Sequence, residues 1–112
     1  MVTFVIVLAP AQLENPDTDL SVLLPELVEG YSKGRVQAEG WGYAPDESMH
    51  FFFQASSRKD GLQQIVSALK SARVKGNDLS SVPVAFRAAS EGPFTTLHPP
   101  ARIGEAIGDI GA

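Results

Sequence analysis

Residues Val2 to Leu8 form an unbroken run dominated by β-branched and aromatic side chains, closed off by Pro10. A segment apolar at both odd and even positions has no side to give to water, so it reads as a strand buried on both faces in the middle of a sheet. The other elements have to be arranged around that strand. Ala9-Pro10-Ala11 superficially resembles a signal-peptidase site, but no basic residue precedes the run. It also falls far short of the roughly 20 apolar residues that span a bilayer, so no membrane role is expected.

The rest of the chain divides by period and by turn chemistry. Ala11 to Asp19, with Pro16 and several Asx residues, reads as a loop. Leu20, Leu23, Leu24, Leu27, Val28 and Tyr31 mark one face of a helix that Gly30 or Gly34 stops. Pro25 argues for a late start, near Ser21 or at Pro25 itself, since an interior proline costs about 3 kcal/mol. Arg35 to Tyr43 alternates, with Val36, Ala38, Gly40 and Gly42 opposite Arg35, Gln37, Glu39, Trp41 and Tyr43. After the turn at Ala44 to Glu47, Ser48 to Ala55 sets Met49, Phe51, Phe53 and Ala55 opposite His50, Phe52 and Gln54, which completes a hairpin.

Ser57 with Asp60 resembles a capping box for a second helix carrying Leu62, Ile65, Val66 and Leu69. That helix ends near Arg73 to Gly76, where basic side chains suit the terminus. Val82 to Ala88 reads as a fourth strand, with Pro83 at its start or on an exposed edge. Phe94 to His98 adds a short fifth strand across the Glu91-Gly92-Pro93 turn. Residues 1–98 are thus expected to form a single domain. In the remainder, 99–112, Ile103, Ile107 and Ile110 have helical spacing diluted by glycine, which fits a docked helix or a flexible tail.

The order strand, helix, strand, strand, helix, strand resembles the ferredoxin-like βαββαβ superfold. The likeness covers Val2 to Ala88 and rests on element order. It implies an α+β fold, an antiparallel sheet of four strands or five, and two helices on one face. The other face would then be uncovered, displaying Arg35, Gln37, Glu39, Trp41, Tyr43, His50, Phe52, Gln54 and Arg87 beside Thr3, Val5 and Val7. Exposed Trp and Tyr beside charge mark an interface, so Trp41, Tyr43 and Phe52 are expected to anchor a partner, with His50, Arg87 and Glu39 beside them. A β-bulge at Gly40 or Gly42 would instead turn Trp41 toward the core, and the alternation alone leaves both arrangements open.

Charge narrows the partner. The total of −4 divides unevenly: residues 1–50 carry a net −6 and residues 51–112 a net +2. Such a surface repels phosphate backbones and steers basic partners, with Glu14, Asp17, Asp19, Glu26 and Glu29 as candidate steering groups. Nucleic acid is not expected, because its nonspecific binding needs a basic face.

Without cysteine there are no disulfides and no thiolate chemistry, which fits a reducing cytoplasm. His50 and His98 lack the spacing of a metal site, no Gly-x-Ser-x-Gly elbow is present, and no phosphate loop or dinucleotide fingerprint occurs. Neither metal nor cofactor is expected. The reading that follows is a noncatalytic protein-binding module, comparable to small acidic immunity-type proteins that neutralise bacterial toxins. The alternative is a homodimer packed sheet to sheet around a small ligand, as in ACT-like regulators or cofactor-free monooxygenases. In it His50, Trp41, Tyr43 and Arg87 would line the pocket.

Overall fold

A computed structural model describes residues 1–88 and 92–107. Its order is β1 (Val2–Leu8), α1 (Leu20–Tyr31), β2 (Val36–Tyr43), β3 (Met49–Ala55), α2 (Arg58–Ser71), β4 (Val84–Arg87), β5 (Phe94–His98) and β6 (Ala106–Ile107). Short 3-10 turns occupy Pro10–Gln12 and Pro100–Arg102. The sheet is antiparallel throughout, in the order β2-β3-β1-β4-β5-β6. The central place expected for β1 follows from its pairing with β3 on one side and β4 on the other.

Among the described residues the expected four or five strands are corrected to six. The six-stranded order departs from a four-stranded ferredoxin-like sheet, because β5 and β6 extend it beyond β4. Part of the expected tail supplies that extension: residues 100–107 form a tight turn and a strand rather than a helix, the strand pairing Ala106 and Ile107 with Thr95 and Phe94. The helical reading of Ile110 concerns a position outside the described residues.

One face of the sheet carries Phe4, Ile6 and Leu8 of β1, Met49, Phe51 and Phe53 of β3, and Val84 of β4. Both helices pack on it, α1 through Leu20, Leu24 and Val28, α2 through Ile65, Ala68 and Leu69. Ser57 caps α2 by accepting the Asp60 amide at 3.2 Å, the bond its spacing suggested. Helix α1 begins at Leu20 and takes Pro25 into its interior, where one backbone donor is lost. Its end is set by Gly34, at φ +82°, whose amide returns to the Glu29 carbonyl.

The second strand breaks its alternation. Val36, Gln37 and Ala38 pair with Ala55, Gln54 and Phe53, but Gly40 then pairs with Phe52, leaving Glu39 as an extra residue. Gly40, at φ +132°, has a backbone conformation that side chains avoid. Past the bulge, Trp41 lies opposite Phe51 and Tyr43 opposite Met49. Both aromatics therefore project from the helix-bearing face. The expected common surface is corrected accordingly: Trp41 and Tyr43 are on one side of the sheet, while His50, Phe52 and Arg87 are on the other. Trp41 nevertheless does not enter the core. On an edge strand it is 42 % exposed and Tyr43 57 % exposed, with Trp41 stacked on Phe51 at 6.3 Å.

The face away from the helices is also less open than expected. Phe94 of β5 is buried with Val5 and Ala85, and Val7, Phe52 and Ile107 pack around them. The small side chain of Ala85 leaves room for the Phe94 ring to come within 6.2 Å of Phe52, centroid to centroid. Among the described residues no helix is long and apolar enough to cross a membrane.

Candidate functional site

Two surfaces carry the residues singled out from the sequence. The first is the outer edge of β2. Helix α1 runs antiparallel to this strand, and it and its C-cap residue Ser32 cover the first half of the free edge: the Val36 amide donates to Ser32 Oγ at 3.1 Å and the Ala38 amide to Glu29 Oε2 at 3.2 Å. Both amides therefore point away from β3.

After the bulge the Ala44 amide donates to the Ser48 carbonyl at 2.9 Å, so Ala44 faces β3. By strand alternation the Gly42 amide does too, and the Trp41 and Tyr43 amides point outward. No side chain among the described residues caps them. Measured from the Glu29 to Ala38 bond, Trp41 lies about 10 Å along β2 and Val22 about 10 Å back along α1. Val22, Trp41 and Tyr43 are all exposed, and Trp41 and Tyr43 meet edge to face at 5.2 Å.

The acids divide by what they touch. Asp17 and Asp19 flank Lys75 at 3.9 and 3.3 Å, Asp17 Oδ1 also accepts the Asp19 amide, and Glu29 is spent on Ala38. Glu14, Glu26, Glu39 and Glu47 are exposed. The hairpin spanning residues 36–55 contains Glu39, Asp46 and Glu47 and no lysine or arginine.

The second surface is a cleft of about 530 Å³ on the face away from the helices, at the end of the sheet where β1 and the β2-β3 turn meet the start of β4. His50 and Ser48 line it, both buried, with Asp46 at its rim. The three alternate along one side of the chain. Asp46 Oδ1 accepts from the Ser48 hydroxyl at 2.5 Å and from the Ser48 amide at 3.0 Å, while Ser48 Oγ lies 3.2 Å from His50 Nε2. The bonds from the Ser48 hydroxyl and amide hold the Asp46 carboxyl below its ordinary range. Burial pushes the His50 imidazole down, against the opposing pull of the Asp46 charge.

Serine, histidine and aspartate are thus together, but in the wrong order for a nucleophile. The carboxylate accepts the serine hydroxyl's hydrogen bond directly instead of orienting the histidine. Among the described residues no three His, Asp or Glu side chains converge as a metal site would require.

Phe52 and Arg87, expected as partner contacts, both lie against Phe94. The Arg87 guanidinium lies 4.5 Å above the Phe94 ring and donates to the Gly92 carbonyl. Sequence reasoning missed Ser48 and Arg102 as cleft residues. The i, i+2, i+4 spacing of Asp46, Ser48 and His50 was a readable sign of the first; nothing local marked the second. The chain matches no protein-family model, no curated protein and no solved structure.

Proposed function

We propose that this domain is a noncatalytic protein-binding module that docks an extended, basic segment of a partner protein along the second half of β2. The observation that carries the reading is the half-capped edge: the side chains of Ser32, at the C-cap of α1, and Glu29 occupy the outward amides of Val36 and Ala38, whereas among the described residues nothing bonds those of Trp41 and Tyr43. Unpaired edge amides recruit extended chains, and main-chain pairing then supplies affinity.

Trp41 and Tyr43 offer apolar area beside them, and Glu26, Glu39 and Glu47 set the sign of the partner. Neutralising a basic toxin, in the manner of an immunity protein, is the role this reading fits. Within the sheet, β2-β3-β1-β4 with two helices on one side is the portion for which we retain the ferredoxin-like likeness, and in that portion β2 is an edge.

The test uses a six-residue peptide alternating lysine and valine. Trp41 is the sole tryptophan, so its fluorescence reports on the site directly. Saturable binding that weakens with salt, slows hydrogen exchange at Trp41 and Tyr43, and falls at least tenfold for a backbone N-methylated peptide is expected. Binding indifferent to N-methylation would sink the strand-pairing claim, and equal binding of a glutamate-valine peptide would sink the charge claim.

A further inference from the structure

The cleft on the other face has no part in that docking. We propose that it is a binding site for a small, neutral, mainly apolar molecule bearing one hydroxyl or N–H donor, which it gives to Nδ1 of His50.

The volume and the walls set the size and polarity of the ligand. About 530 Å³ falls within the range of small-molecule sites, which are mostly apolar with few polar groups. Val7, Pro83 and Ile107, with Ala9, Ala44 and Pro45, supply the apolar lining.

The hydrogen-bond chain sets the polar anchor. Ser48 has one hydroxyl proton, and the 2.5 Å contact commits it to the Asp46 carboxylate. At 3.2 Å from His50 Nε2, the same oxygen can then only accept. The ring proton therefore resides on Nε2, and Nδ1 keeps its lone pair. Among the described residues no hydrogen bond reaches Nδ1, so the ring is an acceptor waiting for a donor.

The charges decide against an ionic ligand. Arg102 is the cleft's cation, and its Nε and Nη2 already engage Glu105 at 3.3 to 3.4 Å. Asp46, the cleft's anion, is taken by Ser48. Neither is free to neutralise a charge brought in from water, and an uncompensated charge in an apolar cleft is costly. Ser48, buried and with its proton committed to a carboxylate, does not act as a nucleophile, so the assignment is to binding.

The experiment is an NMR titration of the labelled full chain. In the free protein the His50 ring should show a protonated Nε2 and an unprotonated Nδ1. Phenol and indole should then shift the His50 Nδ1 resonance and the Val7 and Ile107 methyls. Anisole and N-methylindole, which have the same shape without the donor, should bind at least tenfold more weakly, and so should benzoate.

Replacing exposed Ala106 at the cleft with tryptophan (Ala106→Trp) should abolish the shifts while leaving the remaining amide spectrum in place. A proton on Nδ1 in the free protein, anisole binding as well as phenol, or benzoate binding better than phenol would each overturn the proposal. So would the absence of shifts at millimolar phenol and indole. Peptide binding at β2 is read separately through Trp41, so either claim can fail without the other.

Discussion

Gly61 is the point at which α2 lies closest to the sheet, and its replacement by alanine separates two opposing effects. In an open helix, Gly→Ala gains about 1 kcal/mol from helix propensity and reduced unfolded-state entropy. Here a Cβ would lie 2.5 and 2.8 Å from Phe4 Cε2 and Cζ, and 2.8 Å from Ala55 Cβ. Carbon atoms prefer about 3.5–4.0 Å.

Phe4 is fully buried on the central strand and the Ala55 Cβ is fixed to the backbone, so neither can yield through a rotamer change. The overpacking cost then sits at the upper end of its usual range, about 3 kcal/mol. The net is a loss of about 2 kcal/mol, equivalent to a drop in Tm of roughly 8 °C for a domain of this size. Gly30, in α1, provides the control: a Cβ there meets nothing within 4 Å, so Gly30→Ala should gain about 0.5 kcal/mol. Urea unfolding of both variants measures the difference. In a Phe4→Leu background the penalty of Gly61→Ala should shrink. A Gly61→Ala protein as stable as Gly30→Ala would refute the close approach of α2 to β1.

Other perturbations test the remaining parts. Glu29→Ala frees the Ala38 amide and lengthens the open edge of β2, so self-association by sedimentation should rise at high protein concentration while stability falls by about 1 kcal/mol. Asn77→Ala removes three side-chain bonds, two to the Asn15 backbone at 2.8 Å and one to the Val74 carbonyl at 3.0 Å, and should cost roughly 2–3 kcal/mol in urea unfolding.

Because burial holds His50 below its ordinary 6.5, the unfolded chain takes up that proton first as pH falls. Its contribution to stability should therefore be fully present above 6.5 and decline as pH drops from there toward the lower folded value. Among the described residues Asp46, which opposes the shift, and Arg102 are the charged groups lining the same cleft. Melting His50→Gln across pH 5 to 8 should show a flatter profile than the parent, and an unchanged slope would remove His50 as its source.

Much of the fold was legible because its signals are local. The two-sided apolar run of β1, the Ser57 cap and the Met49-Phe51-Phe53 alternation each state their own structure within a few residues. What escaped is nonlocal. The sixth strand is two residues long and exists because β5 offers it a partner, so the helical spacing of Ile103 and Ile107 did not foretell it. The bulge at Glu39 depends on which β3 residue meets Gly40, and a glycine alone does not say whether a strand slips there. That one slip separated the aromatics expected to act together. The cleft was half visible: Asp46, Ser48 and His50 stand at strand spacing, but Arg102 arrives from a turn far along the chain. The acidic imbalance was legible as a sum, whereas the use of Glu29 as a cap on β2 required its distance to Ala38.

The surplus residue in β2 also bears on how this protein could diverge. Side-chain replacements at Trp41 or Tyr43 change what the hairpin displays, but none changes the side on which it is displayed. Removing Glu39 would leave Ala38 opposite Phe53 and Gly40 opposite Phe52 in an unbroken ladder and keep both rings on the helix-bearing side, because the bulge already absorbs the surplus residue. The bulge itself acts as a parity bit: a strand that kept Glu39 but paired without the bulge would slip its register by one residue and carry both rings to the side that holds His50.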